Sequence, residues 1–180
     1  KTVIKYIFET HFHADFVSGH ITLSKKTNAQ IVFGPKAKTR FNSIIAKDEQ
    51  EFKIGEITIK VLHTPGHTIE STTYLLRYNN KDIAIFSGDT LFLGDVGRPD
   101  LAQKAENFTK EDLAGILYES LRKKIMPLSN DVLVYPAHGA GSACGKNLSK
   151  ETVGTLGEQK RINYALRSDM TKEEFVKEVT

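Results

Sequence analysis

The 180-residue sequence has a single cysteine, Cys144, two methionines and no tryptophan. One thiol excludes an internal disulfide and any zinc knuckle built from several cysteines. A chain so poor in cysteine suits a reducing compartment, so a cytoplasmic setting is expected. No apolar run approaches the roughly 20 residues that a membrane span needs, and no secretory signal opens the chain. A strong charge of either sign is also missing: 25 basic residues face 22 acidic ones, for a net charge of +3. The lysine pairs Lys25-Lys26 and Lys123-Lys124 close helix-like segments, where cations meet the negative end of the helix dipole. No basic stripe is interleaved with aromatics, so a nucleic-acid partner is not expected, while a small anionic substrate is compatible. An initiator Met is absent too. The chain enters a strand almost at once after Lys1 and stops at Thr180 behind a helical run, which leads us to expect a segment of a longer protein.

What is present is ordinary for a folded domain: 39% hydrophobic and 26% charged residues, with enough length to bury a core. With neither repeat nor linker, residues 1–180 are read as one domain. Val3 to Phe8 is β-branched and aromatic and predicts a buried strand; Asp15 to Lys26 predicts a helix, and Gln30 to Phe33 a short strand stopped by Gly34-Pro35. Two hairpins follow, Glu51–Ile54 with Ile57–Leu62, and Thr72–Arg77 with Asp82–Phe86 across Tyr78-Asn79-Asn80-Lys81. Gly94 to Phe108 reads as irregular. Thr109 and Asp112 have capping-box spacing for a helix to about Met126. Val132 to Tyr135 predicts another strand, and helical stretches are expected from Lys150 to Leu166 and from Lys172 onward, behind Thr171.

The chemistry sits where strands end. His11-Phe12-His13-Ala14-Asp15 places two imidazoles and a carboxylate within five residues, and alternation at a strand end turns both rings to one side. Imidazole and carboxylate are the donors that a borderline divalent metal prefers. His67 is presented by the tight turn Thr64-Pro65-Gly66; alone it is read equally well as a turn-stabilising residue. Asp89, in Ser-Gly-Asp-Thr, would alone suit a turn cap, and His138 after Tyr-Pro-Ala is equally ambiguous. Their common placement, each in a loop directly after a strand, makes them ligand candidates together. His20 is expected to pack on its helix and His63 to support its loop.

The ordered set His-x-His-x-Asp, Thr-Pro-Gly-His, Ser-Gly-Asp-Thr and Pro-Ala-His-Gly resembles the metallo-β-lactamase superfamily over nearly the whole chain. The resemblance implies an α/β fold, the αβ/βα four-layer sandwich, with the metal site at one edge between two sheets. Members carry strands and a helix ahead of the first motif that have no counterpart here, so one sheet should be short and leave apolar edges exposed.

The dinuclear form of the first motif reads His-x-His-x-Asp-His, whereas this chain has Phe16 in the last position, and a phenyl ring cannot bind a metal. One metal ion is therefore expected. The resemblance to persulfide dioxygenases implies a single Fe(II) on His11, His67 and Asp89, a two-histidine, one-carboxylate set. The stretch Gly88-Asp89-Thr90-Leu91-Phe92 to Gly97-Arg98-Pro99-Asp100-Leu101 is similar to theirs, including a Gly-Arg-x-Asp motif. Arg98 is read either as a structural partner of Asp100 or as a substrate contact. The loop Gly139 to Lys146 resembles rhodanese-linked bacterial members, which allows a rhodanese domain beyond residue 180. It also makes Cys144 a candidate substrate contact, against the alternative of an inert buried thiol.

The implied reaction oxidises a thiol persulfide with O2 to sulfite and thiol. His13, Asp15 and His138 are then expected to orient ligands and water or to pass protons, in a protein expected to be a homo-oligomer. The rival is a zinc-dependent, glyoxalase II-like thioester hydrolase. A non-catalytic assembly module would have lost ligand-type residues, and a nucleic-acid-processing member would show a basic groove; neither feature is present in the sequence.

Overall fold

The computed structural model describes residues 3–100, 107–146 and 148–180. Strands β1 (Tyr6–Glu9), β2 (Gln30–Phe33) and β3 (Ile44–Ile45) form a parallel sheet in that order. The second sheet runs β4 (Glu51–Ile54), β5 (Ile57–His63), β6 (Thr72–Tyr78), β7 (Lys81–Gly88), β8 (Leu133–Pro136) and β9 (Gly154–Thr155). Its neighbours are antiparallel except β7 and β8. Helix α1 (His20–Thr27) lies against the first sheet; α2 (Lys110–Ser120), α3 (Leu156–Ile162) and α4 (Lys172–Val179) cover the second.

Side-chain alternation explains the layering. Along β1 and β2, Tyr6, Phe8 and Val32 point between the sheets, where they meet Phe52, Ile59, Val61 and Tyr74; Ile7, Ile31 and Phe33 point the other way, toward Ala37 and Phe41. Leu62, Leu75 and Ile85 leave the second sheet on its far face and pack with Ala114, Leu117 and Leu121 of the α2 region and Phe175 of α4. Each fully buried leucine or phenylalanine there contributes about 1.5–3 kcal/mol. The result is the expected four-layer sandwich with one short sheet. Where that sheet does not reach, Phe86 of β7 and Tyr135 of β8 stack at 5.6 Å and stay half exposed, an apolar edge of the kind expected.

The hairpins form where expected. Asn79 and Asn80 both adopt positive φ, 49° and 61°, as a tight turn matched to strand twist demands. Two helix boundaries are corrected. The helix expected from Asp15 starts only at His20, because residues 15–19 are drawn to their surroundings: Asp15 bonds His138, Phe16 lies on His13, and Ser18 donates to Glu9. The helical run expected from Lys150 starts at Leu156, because Gly154-Thr155 first add an edge strand to β8 and Thr155 then caps the helix. The helix capped by Thr109 and Asp112 forms with both capping bonds and ends in a π-turn over Leu121–Ile125. Among the described residues no helix is long and apolar enough to cross a membrane. Leu101 and the neighbouring residues to 106, part of the stretch expected to be irregular, lie outside the described residues.

Candidate metal centre

Four strand ends deliver the site to one edge of the sandwich. Leaving β1, the chain places His11 after Thr10; leaving β5 it turns through Thr64-Pro65-Gly66 to His67; leaving β7 it reaches Asp89; leaving β8 it reaches His138. The turn before His67 needs its glycine. Gly66 has φ of +142°, and a Cβ there would come within 2.4 Å of the Leu117 side chain and 2.5 Å of its Cα. Ser120 holds the same turn by donating to the Pro65 carbonyl at 2.7 Å. Thr64, Thr73 and Thr90 join β5, β6 and the Asp89 loop through buried hydroxyl bonds of 2.9–3.0 Å.

His11, His67 and Asp89 are all buried, and their donor atoms lie within 4.8 Å of one another. His67 Nε2 is 3.3 Å and His11 Nε2 3.8 Å from Asp89 Oδ2. The N–H at His67 Nδ1 donates to the Arg98 carbonyl at 2.8 Å, which leaves Nε2 with its lone pair toward the aspartate. His11 Nδ1 pairs with Thr10 Oγ1 at 3.0 Å, and its Nε2 faces the aspartate. Burial, reinforced by His67, His13 and His138, pushes the His11 imidazole from 6.5 down to about 2, so this ring is neutral, the form that binds metals. Asp89 Oδ2 is buried with no hydrogen-bond partner among the described residues. An orphaned carboxylate oxygen normally costs several kcal/mol, so its presence beside two imidazole nitrogens fits a cation that completes the set. Bonds of about 2.1 Å to one ion would put donor atoms roughly 3.0–3.5 Å apart, close to the separations seen.

His13, Asp15 and His138 form a second group, also with donor atoms within 4.8 Å. His138 bridges two carboxylates, bonding Asp89 Oδ1 through Nδ1 and Asp15 Oδ2 through Nε2, each at 2.9 Å. Burial alone would lower the pKa of His138, but the charge of Asp89 and the two carboxylate bonds outweigh it and raise the value above the ordinary 6.5. Slight burial would raise Asp15, yet its backbone bond and its bond with His138 hold it below the usual carboxylate range. Burial lowers the pKa of His13, whose Nδ1 has no hydrogen-bond partner among the described residues. The Phe16 ring lies on the His13 ring at 4.2 Å, on the solvent side of this group.

The Arg98 guanidinium makes a two-pronged pair with Asp100, while its backbone carbonyl receives His67 and its N–H donates to the Cys144 carbonyl at 2.9 Å. Cys144 is 5% exposed, so it sits in the wall of the site and not at an open mouth; burial raises its thiol pKa. Its donor atom lies within 4.8 Å of those of Asp89 and His138. His63 bonds the Ile69 carbonyl at 2.9 Å and His20 packs on Phe33 and Phe41, the supporting roles expected of them.

Sequence reasoning missed the supports. Asp95, 1% exposed, accepts from Tyr164 Oη at 2.8 Å and from the Lys146 amide at 2.6 Å, tying the segment after Asp89 to the Cys144 loop and the C-terminal region. Asn163 and Gln159 add bonds to the Asp95 carbonyl and the Gly94 amide. A carboxylate one residue past a glycine in an apolar stretch was the available signal.

The family model of the metallo-β-lactamase superfamily matches residues 3–138. Human mitochondrial persulfide dioxygenase ETHE1 is 31% identical over 173 residues, covering 96% of this chain and 59% of its own length. A hydroxyacylglutathione hydrolase from Brucella anthropi is 36% identical over 138 residues, 75% of this chain and 47% of its own. The crystal structure of a metallo-β-lactamase from Staphylococcus aureus subsp. aureus COL superposes with a TM-score of 0.84 at 33% identity, covering 98% of this chain and 53% of that one. The chain thus spans about half to three-fifths of the length of these relatives. Ligand-bearing strand ends, layered sheets and the matching model lead to one conclusion: the chain belongs to the metallo-β-lactamase superfamily.

Proposed function

We propose that this chain is the catalytic part of a mononuclear, non-haem Fe(II) persulfide dioxygenase, with His11, His67 and Asp89 as the iron ligands. The observation that carries the reading is this buried set of two imidazoles and one carboxylate, with Asp89 Oδ2 facing both Nε2 atoms and without a hydrogen-bond partner among the described residues. That is the composition associated with non-haem Fe(II) and open coordination positions. Phe16 adds support, since a phenyl ring stands on His13 where the dinuclear motif carries another imidazole. The similarity to the human persulfide dioxygenase over 96% of the chain supports the reading beside the equal support that the superfamily gives to a hydrolase.

When bound, iron supplies a redox-active Lewis acid at which sulfur and O2 are held together. The net reaction takes one persulfide, one O2 and one water to one thiol, one sulfite and two protons. Around the metal, Arg98 fixes the tautomer of His67 through its carbonyl. His138, held between Asp89 and Asp15, is placed to move protons between the site and solvent, where Asp15 is partly exposed. His13 and the Cys144 thiol form the walls next to it; Cys144 contacts the sulfur of the substrate, and the exposed guanidinium edge of Arg98 lies on the approach. The reading includes a reducing cytoplasmic setting, a homo-oligomer, and a rhodanese domain in the remainder of the protein as the supplier of persulfide.

A second reading, zinc-dependent thioester hydrolysis, is favoured by the His13–Asp15–His138 group and by the similarity to the Brucella anthropi hydrolase. The two separate in one assay on the full-length protein reconstituted with Fe(II) or with Zn2+. The dioxygenase reading expects O2 uptake that tracks added glutathione persulfide in the iron form alone. Thioester cleavage by the zinc form with no O2 uptake by the iron form would overturn it.

A further inference from the structure

We propose that Glu70 is a positioning residue of the metal centre: from the loop that carries His67, its carboxylate pins the main chain beside His11 and so sets where that ligand stands. Glu70 Oε1 accepts from the Phe12 amide at 3.0 Å, the N–H of the peptide that joins His11 to Phe12. On the other side of His11, the Thr72 amide donates to the Thr10 carbonyl at 2.9 Å. Both peptides that flank the ligand are therefore held by one short stretch of chain, residues 70–72.

That stretch is itself tied to the turn that presents His67. The Thr64 amide donates to the Ser71 carbonyl and the Gly66 amide to the Thr68 carbonyl, each at 3.0 Å, and the Thr68 amide donates to Ser71 Oγ at 3.1 Å. Thr72 Oγ1 donates to the Glu70 carbonyl at 2.9 Å, and a Cβ at Gly34 would overlap that hydroxyl. Thr10 is seated against the Asp89 loop, where a Cβ at Gly88 would come within 2.7 Å of its Oγ1. The Phe12 ring lies on Phe33 at 4.8 Å, so the residue that Glu70 grips is also held through its side chain. β1 ends at Glu9, and past the Thr10–Thr72 bond the Phe12 amide finds a side chain as its acceptor in place of a neighbouring strand. An ionised acceptor makes a stronger bond than a neutral one. Glu70 thereby couples the backbones of two ligands whose Nε2 atoms stand 3.8 and 3.3 Å from Asp89 Oδ2. The inference rests on the His11–His67–Asp89 ligand set and does not depend on which reaction that set supports.

The test titrates Co2+, without oxygen, into metal-free full-length wild type, Glu70→Ala, Glu70→Gln and His11→Ala, and follows the visible d–d band, which reports affinity and coordination together. Glutamine keeps an acceptor oxygen at the same reach but lacks the charge, so it separates the bond to Phe12 from a general attraction of the carboxylate for the cation. We expect Glu70→Ala to bind at least about tenfold more weakly with a shifted band, and Glu70→Gln to stay within about threefold of wild type with the wild-type band. Glu70→Ser, too short to reach the Phe12 amide, stands in for the alanine variant if circular dichroism shows the latter unfolded. Wild-type affinity and band in the shortened variant, or a Glu70→Gln protein as weak as it, would overturn the proposal and leave the ligand set standing. A wild-type band in His11→Ala would overturn the ligand set and the proposal with it.

Discussion

Replacing Gly66 by alanine tests how the fold presents His67. A methyl group at this position would sit 2.4 Å from Leu117 Cβ, 2.5 Å from its Cα and 2.7 Å from its backbone nitrogen. Two of these three neighbours are main-chain atoms of α2, which cannot swing aside as a flexible side chain would. Overpacking of this kind costs about 1–3 kcal/mol. The φ of +142° adds about 1–3 kcal/mol for any residue with a Cβ. Together they give roughly 2–6 kcal/mol, a large share of the ~5–15 kcal/mol that holds a domain together. Urea denaturation of wild type and Gly66→Ala measures the loss directly, and thermal melting should show a drop of about 10 °C. Gly139→Ala, where a Cβ meets nothing within 4 Å, is the matched control and should stay within about 0.5 kcal/mol of wild type. A Gly66→Ala protein as stable as the control would refute the idea that the ligand turn is wedged against α2.

Asp89→Asn keeps the shape of the site but removes the charge between the two Nε2 atoms, so metal affinity should fall by more than about 100-fold in equilibrium dialysis, beyond the loss typical of an outer-sphere change. Unaltered affinity would place the metal elsewhere. Tyr164→Phe removes the bond to buried Asp95 and should cost about 1.5–3 kcal/mol in urea denaturation; a change below 0.5 kcal/mol, on the same scale of roughly 1 kcal/mol per bond, would mean that the Asp95 hub bears no load. Metal-free protein should also lose stability in acid through His11. Its folded value is depressed to about 2 from 6.5, so the unfolded chain takes up this proton first, and the contribution present above pH 6.5 falls away as the pH drops toward 2. The slope is about 1.4 kcal/mol per pH unit in that window. Denaturation midpoints measured from pH 7.5 downward, about one unit at a time, should fall more steeply for wild type than for His11→Asn; parallel curves would show that His11 is not held neutral.

The strands and the site's raw materials were legible because both rest on short-range patterns, whereas the layered sandwich was implied by the resemblance of the ordered motifs to the superfamily. Alternation set the faces of β2 and β5, paired asparagines announced the turn before β7, and each ligand type followed directly on an apolar strand. Strands β3 and β9, two residues each, carry too little pattern to read, and they exist only because neighbouring strands offer free edges. The segment from Asp15 to Gly19 has helix-compatible residues, but long-range bonds to His138 and Glu9 outcompete local helix formation. The same long-range character hid Asp95 and the burial of Cys144: their partners lie up to 69 residues away in sequence, as for Tyr164 and Asp95. Arg98 was seen as a side chain, whereas its backbone does more for the site, and no residue-type pattern reveals a carbonyl.

The most direct test of the central claim is anomalous diffraction at the iron edge from crystals of the Fe(II)-reconstituted protein. The account requires one strong peak within bonding distance of His11 Nε2, His67 Nε2 and Asp89 Oδ2. A peak centred on His13, Asp15 and His138, or no peak after reconstitution, would contradict it.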